Sequence, residues 1–353
     1  MRLSELSPPS DRVYLDHAAT TPLLAEAFDA LRQGFSIWAN PSSPHRAGRA
    51  ARAALEAARA SIRESLGWTG EVVLTSGASE ALALGIGRSH RPLVAVSAVE
   101  HEAVLRHAGD ALRLPVDAGG RVRLPATGLD GLVAVQHVNN ETGVIQPLDA
   151  IAGEVRAQGG VLLADCAQSA GKMPLPDADL IAISAHKFGG PIGVGALLVR
   201  DWALLRPTGG QERGYRGGTE NLPGAMAMAA ALAAGRDWLN RAMELREGME
   251  QAIVEAGGTV VAAGSARIAA IGAYRLPGVS ANVQLIRLDG TGIAVSAGSA
   301  CSSGSLRTSH VLEAMGVAGP GEVIRVSIGR ETTEHDVARF LSAWTALAQG
   351  VRR

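Results

Sequence analysis

The sequence predicts an α/β fold with a large, mostly parallel sheet and a smaller α+β domain toward the C-terminus. Short apolar, β-branched runs alternate with helical stretches through the first two thirds of the chain, which is the pattern of parallel strands joined by helices that cover both sheet faces. A chain of 353 residues is long enough for one large and one smaller domain. Beyond residue 255 the apolar runs become shorter and mixed with helices, which favours a separate small domain.

The predicted elements follow from this alternation. The strands of the large domain are expected at Glu71–Leu74, Leu93–Ser97, Leu132–Val138, Val161–Ala164, Leu180–Ser184 and Ala196–Val199. The helices between them are expected at Ala47–Leu66, Ser79–Gly85, Glu100–Leu112 and Leu148–Gln158, with further helices across Pro223–Glu255. The small domain is expected to hold strands at Thr259–Ala263, Ala281–Ile286 and Val323–Ile328 and helices at Ser305–Met315 and Thr333–Gln349.

Composition excludes several classes of partner. The formal net charge of -1 argues against nucleic acid, which needs a clustered positive surface. The apolar stretch Leu222–Ala234 is shorter than a bilayer requires, and Met1–Ser10 lacks the apolar core of a signal peptide. Two cysteines, Cys166 and Cys301, imply no disulfide framework. We therefore expect a cytoplasmic protein with no membrane or nucleic-acid partner and no metal site.

The two lysines stand out against the other basic residues. Among 33 lysines and arginines only Lys172 and Lys187 are lysines. An amine can lose its proton and form an imine, whereas a guanidinium effectively never deprotonates. In a sequence that otherwise uses arginine for positive charge, each lysine is a candidate for imine chemistry. The presence of two lysines is also compatible with chance.

Polar residues follow four of the predicted strands. They are Ser76-Gly77, Asn139-Asn140, Asp165 and Ser184–Lys187. Ligands of open α/β sheets bind beyond the carboxyl ends of the strands, so the sequence predicts a binding site at this edge.

Lys187 and Asp165 are the strongest candidates in that site. Lys187 lies just past a buried strand and before two glycines, where desolvation would free its amine for reaction with an aldehyde; a solvated charge is the alternative. Asp165 ends an apolar strand and needs a cationic or hydrogen-bonding partner. A protonated pyridine nitrogen would serve, with Gln168 beside the ring's phenolic oxygen, whereas a helix N-cap is the simpler interpretation of Asp165 alone.

Two further segments suit the same ligand. The turn Thr75–Glu80 joins a strand to a helix, and its amides and the Ser79 hydroxyl would form an anion site for a phosphate, although any Gly/Ser turn before a helix looks similar. His101, at the start of another helix, could stack on a ring and relay protons; otherwise it is a surface residue.

Cys301 lies in a loop that cannot bury a thiol. The run Ser296–Ser305 is rich in glycine and serine, and an accessible, mobile cysteine suits reaction better than packing. Cys166 follows a buried strand and is interpreted as a packing residue.

Together these segments resemble the cysteine desulfurases, a branch of the class V aminotransferases with the fold-type I architecture. The loop around Cys301 is similar to that of the group I, NifS/IscS-like branch. The matching motifs run through nearly the whole chain: Tyr14–Pro22, Asn40–Ser43, Ser76–Glu80, Glu100-His101, Asn139–Gly143, Asp165–Gln168, His186-Lys187, Gly209–Glu212, Arg216–Thr219, Gly298–Cys301 and Gly329–Thr333.

The resemblance implies a role for each matched residue. Pyridoxal 5'-phosphate would be the cofactor, held by Lys187 as an imine, with Asp165 at the pyridine nitrogen, Gln168 at the ring hydroxyl and His101 stacked on the ring. Asn140 would contact both the cofactor and the substrate, L-cysteine. Asn40 and Arg325 would also bind the substrate, with the Arg325 guanidinium forking onto its carboxylate. The expected phosphate ligands are Ala78, Ser79, Ser184, His186 and, from the neighbouring subunit of a homodimer, Thr219.

The implied activity is conversion of L-cysteine to L-alanine. Lys187 would move protons, Cys301 would take the sulfur as a persulfide, and a sulfur-acceptor protein, such as an iron–sulfur scaffold or a thio-cofactor or tRNA pathway, would receive it. The large domain is expected at residues 16–240 and the small one at 1–15 and 241–353. The sequence departs from the family in a shortened segment at 283–297, in Ile192 where lysine is common and in Glu331 where phenylalanine is common. A selenocysteine lyase, an aminotransferase and a non-catalytic sulfur carrier stay as alternatives.

Overall fold

The structure, a computed structural model, describes residues 12–298 and 308–351. In chain order its strands are β1 (Val13–Tyr14), β2 (Glu71–Thr75), β3 (Leu93–Ser97), β4 (Leu112–Leu114), β5 (Leu132–Gln136), β6 (Val161–Asp165), β7 (Leu180–Ser184), β8 (Gly195–Val199), β9 (Thr259–Val260), β10 (Ile271–Arg275), β11 (Ile293–Ala294) and β12 (Val323–Ser327). The helices are α1 (Ala25–Ile37), α2 (Arg46–Leu66), α3 (Ala78–Arg88), α4 (Glu102–Leu105), α5 (Leu148–Ala157), α6 (Leu222–Ala233), α7 (Trp238–Glu255), α8 (Ala281–Asp289), α9 (His310–Ala314) and α10 (Glu334–Val351).

A seven-stranded sheet in the order β2-β8-β7-β6-β5-β3-β4 forms the centre of the molecule. Its neighbouring strands are parallel except at β8, which runs antiparallel to both β2 and β7. Every residue of β5, β7 and β8 is buried, because helices cover both faces of the sheet and leave no face for polar alternation. The predicted α/β architecture is confirmed.

A second, antiparallel sheet in the order β12-β10-β9 lies near the C-terminal part of the chain, and β1 pairs with β11 in parallel. One apolar cluster joins Val13 and Leu15 from the start of the described chain to Tyr274, Phe340 and Trp344. This packing agrees with a small unit made of both chain ends, and the division at residues 15/16 and 240/241 stays a prediction.

The predicted strand Ala281–Ile286 is wrong, because this segment forms the first two turns of α8. The Ser280 hydroxyl accepts a hydrogen bond from the Val283 amide and begins the helix. Val283 and Ile286 are β-branched but 45% and 73% exposed, so the apolar signal that suggested a strand does not mark a buried face. The segment described above as shortened therefore still carries a helix.

The predicted helix Glu100–Leu112 is correct only at its start. The helix ends at Leu105, and Gly109 has a φ of +45°, after which the chain turns into β4. The predicted helix Ser305–Met315 is observed as α9 from His310, while its first three residues lie outside the described part of the chain. Within the described ranges no helix is long and apolar enough to cross a membrane.

Candidate active site

The carboxyl ends of β5, β6 and β7 open into a cavity of about 1030 Å³. Side chains from the turn before α3, from the start of α4 and from β12 complete its wall. Ten of the residues predicted from the sequence line this cavity: Ala78, Ser79, His101, Asn140, Asp165, Gln168, Ser184, His186, Lys187 and Arg325.

Lys187 enters the cavity from a short 3-10 helix, Ala185–Lys187, that follows β7 directly. The turn is tight: a Cβ on Gly190 would lie 2.7 Å from the Ala185 Cβ, so glycine is required there. The Lys187 Nζ donates to the carbonyls of Ala18 and Ala19 at 2.7 and 2.8 Å. Burial, reinforced by the Arg325 charge, lowers the pKa of Lys187 to about 8 despite the opposing effect of Asp165. About a tenth of the amine is therefore unprotonated at pH 7, far more than for an ordinary lysine.

Asp165 is the last residue of β6 and is buried. One carboxylate oxygen accepts a hydrogen bond from the Ala167 amide at 2.9 Å; this is a turn, since the residues after Asp165 form no helix, and the N-cap interpretation is wrong. Burial raises the pKa of Asp165, while the Ala167 amide, His101 and Lys187 oppose that rise. A cation bound against this carboxylate would keep it ionised.

Gln168 lies three residues further on and is almost fully buried. Its amide nitrogen donates to the Ala18 carbonyl at 2.9 Å, and its Oε1 is buried without a hydrogen-bond partner. Unsatisfied buried polar atoms are rare in folded proteins. A ligand hydroxyl in the cavity would satisfy this oxygen.

His101 caps the N-terminus of α4, where its Nδ1 accepts from the Ala103 amide at 3.1 Å. This bond favours the neutral ring with its proton on Nε2. Burial lowers the pKa of His101, although the Asp165 charge opposes this effect. A neutral ring that faces the cavity suits stacking on an aromatic ligand.

The turn before α3 forms the far wall of the cavity. Gly77 has a φ of +151°, which favours glycine, and its Cα would lie 2.6 Å from a Cβ on Gly195. Two glycines thus let the turn rest directly on β8. Gly195 was not predicted as a site residue. Ala78 and Ser79, in the first turn of an eleven-residue helix, present an anion site to the same cavity as His186 and Ser184.

Arg325 reaches the cavity from the middle of β12. Its Nη2 donates to the Asp16 carboxylate at 2.7 Å and its Nη1 to the Asn140 carbonyl at 3.1 Å, while its buried Nε has no partner. Asp16 was not predicted individually as a site residue. The signal that could have found it is the need of a buried guanidinium for a carboxylate.

The chain's second lysine lies against the same region. Lys172, His17 and Lys187 line a small adjoining cavity. Burial lowers the pKa of Lys172 to about 7 and that of His17 to about 4, with nearby lysine charge contributing to both. Neither lysine is therefore an ordinary solvated charge. This agrees with the interpretation of the two lysines as candidates for imine chemistry.

Two of the predicted residues that the structure describes do not line the main cavity. Asn40 is exposed and accepts from the Ser42 amide at 2.8 Å, and Thr219 is exposed on the segment after β8. Cys301 lies outside the described residues. Cys166 is fully buried, and burial raises the pKa of its thiol, which agrees with a packing role.

Comparison with known proteins places this architecture in a family. The aminotransferase class-V family model matches residues 13–340. The chain is 36% identical to a cysteine desulfurase of Cereibacter sphaeroides, with 97% of each chain covered, and 36% identical to the cysteine desulfurase IscS of Anaeromyxobacter sp. (strain Fw109-5), with 92% of this chain and 89% of that one covered.

A solved structure of a NifS-like protein from Rickettsia africae superimposes with a TM-score of 0.88 at 27% identity, covering 96% of this chain and 99% of that one. The chain therefore belongs to the class-V aminotransferase family, whose members depend on pyridoxal phosphate, and within it to the NifS/IscS-like cysteine desulfurases.

Proposed function

We propose that this protein converts L-cysteine to L-alanine with pyridoxal phosphate as cofactor and transfers the sulfur to Cys301. The observation that carries the proposal is the juxtaposition, in one cavity, of the Lys187 amine, the buried Asp165 carboxylate and the unpartnered Gln168 oxygen. Each of the three suits one feature of the cofactor: its aldehyde, its ring nitrogen and its ring hydroxyl. Such a set is not needed to stabilise a fold, because buried polar groups without partners destabilise it.

The cavity residues divide the work of binding. Asp165 would hold the protonated ring nitrogen, His101 would stack on the ring, and the phosphate would lie against Ser79, with the Ala78 amide, Ser184 and His186 as its other ligands. When bound, the cofactor supplies an aldehyde and an electron-withdrawing ring that make the Cα–H of an amino acid acidic. Lys187, whose pKa of about 8 leaves part of the amine unprotonated at neutral pH, would accept and return the proton at Cα.

Arg325 would orient the substrate through its carboxylate. Its guanidinium is buried and directed at the cavity, with Asn140 beside it. A bidentate contact requires two guanidinium nitrogens on one edge, and both Nη atoms already have protein partners. The substrate carboxylate would therefore share Nη2 with Asp16 or displace it, using the unpartnered Nε as the second donor.

The sulfur step balances without a further oxidant. The Cys301 thiolate attacks the substrate sulfur, the carbon–sulfur bond breaks, and its electron pair remains with the carbon skeleton, which leaves as alanine after protonation. Cys301 then carries a persulfide, which an acceptor protein takes up.

We also propose a homodimer, a cytoplasmic location and an acceptor such as an iron–sulfur scaffold. Exposure of Thr219 outside its own chain's cavity supports a role toward the neighbouring subunit's phosphate site. Asn40 is also exposed and lies outside the cavity of its own chain. Its proposed contact with substrate would form only in the homodimer. The position of the dimer and the identity of the acceptor stay predictions.

The test compares the two cysteines of the chain. Wild type, Cys301→Ala and Cys166→Ala are incubated with L-cysteine, and alanine and protein persulfide are measured. Alanine and persulfide formation should disappear in Cys301→Ala, whose bound cofactor keeps its absorbance, and should persist in Cys166→Ala. Undiminished turnover by Cys301→Ala would favour a selenocysteine lyase or an aminotransferase, and folded protein that takes up no pyridoxal phosphate would favour a non-catalytic sulfur carrier.

A further inference from the structure

The segment between β8 and α6 is fixed by the buried Glu212 carboxylate, which forms an ion pair with Arg59 of α2 and accepts a hydrogen bond from the outer strand β2 of the large sheet. Glu212 accepts two hydrogen bonds from the Arg59 guanidinium, at 2.8 and 3.1 Å, and one from the Leu74 amide at 2.7 Å. Both charged side chains are at most 5% exposed. Glu212 and the following Arg213 have φ values of +47° and +55°, an uncommon conformation for such residues. The segment is therefore held firmly beside the strand that leads into the turn Ser76–Glu80.

From this fixed point the segment extends Arg216 toward Glu80. The Arg216 Nε lies 2.8 Å from one oxygen of the Glu80 carboxylate, and the other oxygen accepts a hydrogen bond from the Ser76 amide at 2.5 Å. Burial alone would raise the pKa of Glu80, but Arg216 and Ser76 outweigh it and hold that pKa below its usual value. Glu80 is consequently an ionised carboxylate. It lines the main cavity, whereas Arg216 does not.

An ionised carboxylate at this place has two opposite effects. Glu80 lies in the first turn of α3, where its negative charge interacts favourably with the helix dipole and stabilises the helix. Its hydrogen bond from the Ser76 amide also fixes the shape of the turn. The same turn is the proposed phosphate site, and a phosphate with about two negative charges would be repelled by a neighbouring carboxylate. Without a compensating cation the turn would be well shaped for the phosphate and wrongly charged for it.

We infer that Arg216 is a positioning residue of the phosphate site, which acts through Glu80: it neutralises that carboxylate so that the turn keeps its shape while accepting an anion. The inference rests on the proposed function, because it concerns the cofactor phosphate. The role assigned to Arg216 is electrostatic. Its side chain is 23% exposed, and an ion pair that solvent reaches contributes little to the stability of the fold.

The test is a cycle of three variants: Arg216→Met, Glu80→Gln and the double variant. Each is freed of cofactor, and the dissociation constants of pyridoxal phosphate and of pyridoxal, which lacks the phosphate, are measured by absorbance. Arg216→Met should weaken pyridoxal phosphate binding by about five-fold, the size expected for a partly exposed charge, and leave pyridoxal binding unchanged. Glu80→Gln, whose amide oxygen can still accept from Ser76, should bind pyridoxal phosphate as well as the wild type or better. The double variant should regain wild-type affinity to within about two-fold, because the unpaired carboxylate is gone.

Two controls make the cycle decisive. Arg241→Met removes an exposed cation paired with Glu244 at 2.9 Å, far along the chain, and should change neither dissociation constant. Arg216→Lys keeps the charge and should bind pyridoxal phosphate more tightly than Arg216→Met.

The inference is overturned if Arg216→Met binds pyridoxal phosphate normally, if it loses pyridoxal to the same extent, or if the double variant stays as weak as Arg216→Met. If Arg216→Met does not fold, Glu80→Gln decides alone, and weaker phosphate-specific binding by that variant would refute the inference. Folded wild-type protein that binds no pyridoxal phosphate would refute the proposed function instead.

Discussion

The carboxyl edge of the seven-stranded sheet and the three-stranded sheet contribute to the same cavity in different ways. At the edge of the large sheet, Asp165 is the last residue of β6 and Lys187 lies three residues after β7, so each side chain is delivered by the end of a buried strand. Arg325 instead comes from the middle of β12, paired with Ala273 of β10. Its carboxylate partner, Asp16, is 309 residues away in sequence.

The difference separates local from long-range determination of a site. A strand end fixes where the following residue lies once the strand itself is identified. The position of Arg325 depends instead on pairing between β12, β10 and the N-terminal segment, where Asp16 bridges to Ser327. Substitutions in the two regions should therefore impair the enzyme in different ways. At the edge of the large sheet they should slow the chemical step, and in the small sheet they should weaken the binding and orientation of the substrate.

The largest effect is expected for Lys187→Ala. Without this amine the cofactor has no covalent attachment in the cavity and no group to move the Cα proton, so alanine formation should fall by on the order of 10³-fold or more. Mass spectrometry after borohydride reduction checks the attachment. Lys172→Met is the matched control, since Lys172 does not line the main cavity, and it should retain covalently bound cofactor. Attachment that survives in Lys187→Ala would contradict the role given to the sheet edge.

Arg325→Met should act mainly on substrate binding. Loss of a bidentate, buried guanidinium removes about 2–3 kcal/mol of charge-assisted hydrogen bonding. This loss corresponds to a KM for L-cysteine raised by roughly 30- to 150-fold, with a smaller change in kcat. The control is Arg275→Met on the adjacent strand β10, whose side chain pairs with Glu322 at 2.7 Å outside the main cavity and whose loss should leave KM unchanged. A fall in kcat alone would place Arg325 in the chemical step instead.

The comparison also explains what the sequence could and could not predict. The large sheet, its mostly parallel character and the positions of Asp165 and Lys187 could be predicted because buried strands are short, apolar and regularly spaced. Asp16 and Lys172 could not be assigned, because their surroundings are built by remote segments. Helix α8 was mistaken for a strand because its exposed Val283 and Ile286 mimic strand composition. Arg325 was identified through family resemblance, since nothing in the local pattern Val323–Ser327 marks a site.

The two regions should be electrostatically coupled at Lys187. Only the unprotonated amine reacts with an aldehyde, so the rate of cofactor attachment should rise with pH and level off above a midpoint near 8, the lowered pKa of Lys187, rather than near the ordinary ~10.4. Arg325 contributes to that lowering because a neighbouring cation disfavours the ammonium form. In Arg325→Met the midpoint should therefore move upward. Stopped-flow absorbance at a series of pH values measures it, and an unchanged midpoint in the variant would show that the two regions act independently.

The smallest expected effect tests the region where the sequence was misinterpreted. Ile286 is 73% exposed on α8, and in an exposed helical position alanine is favoured over isoleucine by about 0.4 kcal/mol. Ile286→Ala should therefore raise the thermal unfolding midpoint slightly, whereas in a strand the same change would lower it, because β-branched residues favour strands. Ser280→Ala removes the hydroxyl that caps the Val283 amide and should lower the free energy of unfolding by about 1 kcal/mol. Thermal unfolding followed by circular dichroism on the cofactor-loaded protein measures both changes in stability. A gain in Ile286→Ala together with a loss in Ser280→Ala is expected only if Ser280 begins a helix. A loss of stability in both variants would favour the strand instead.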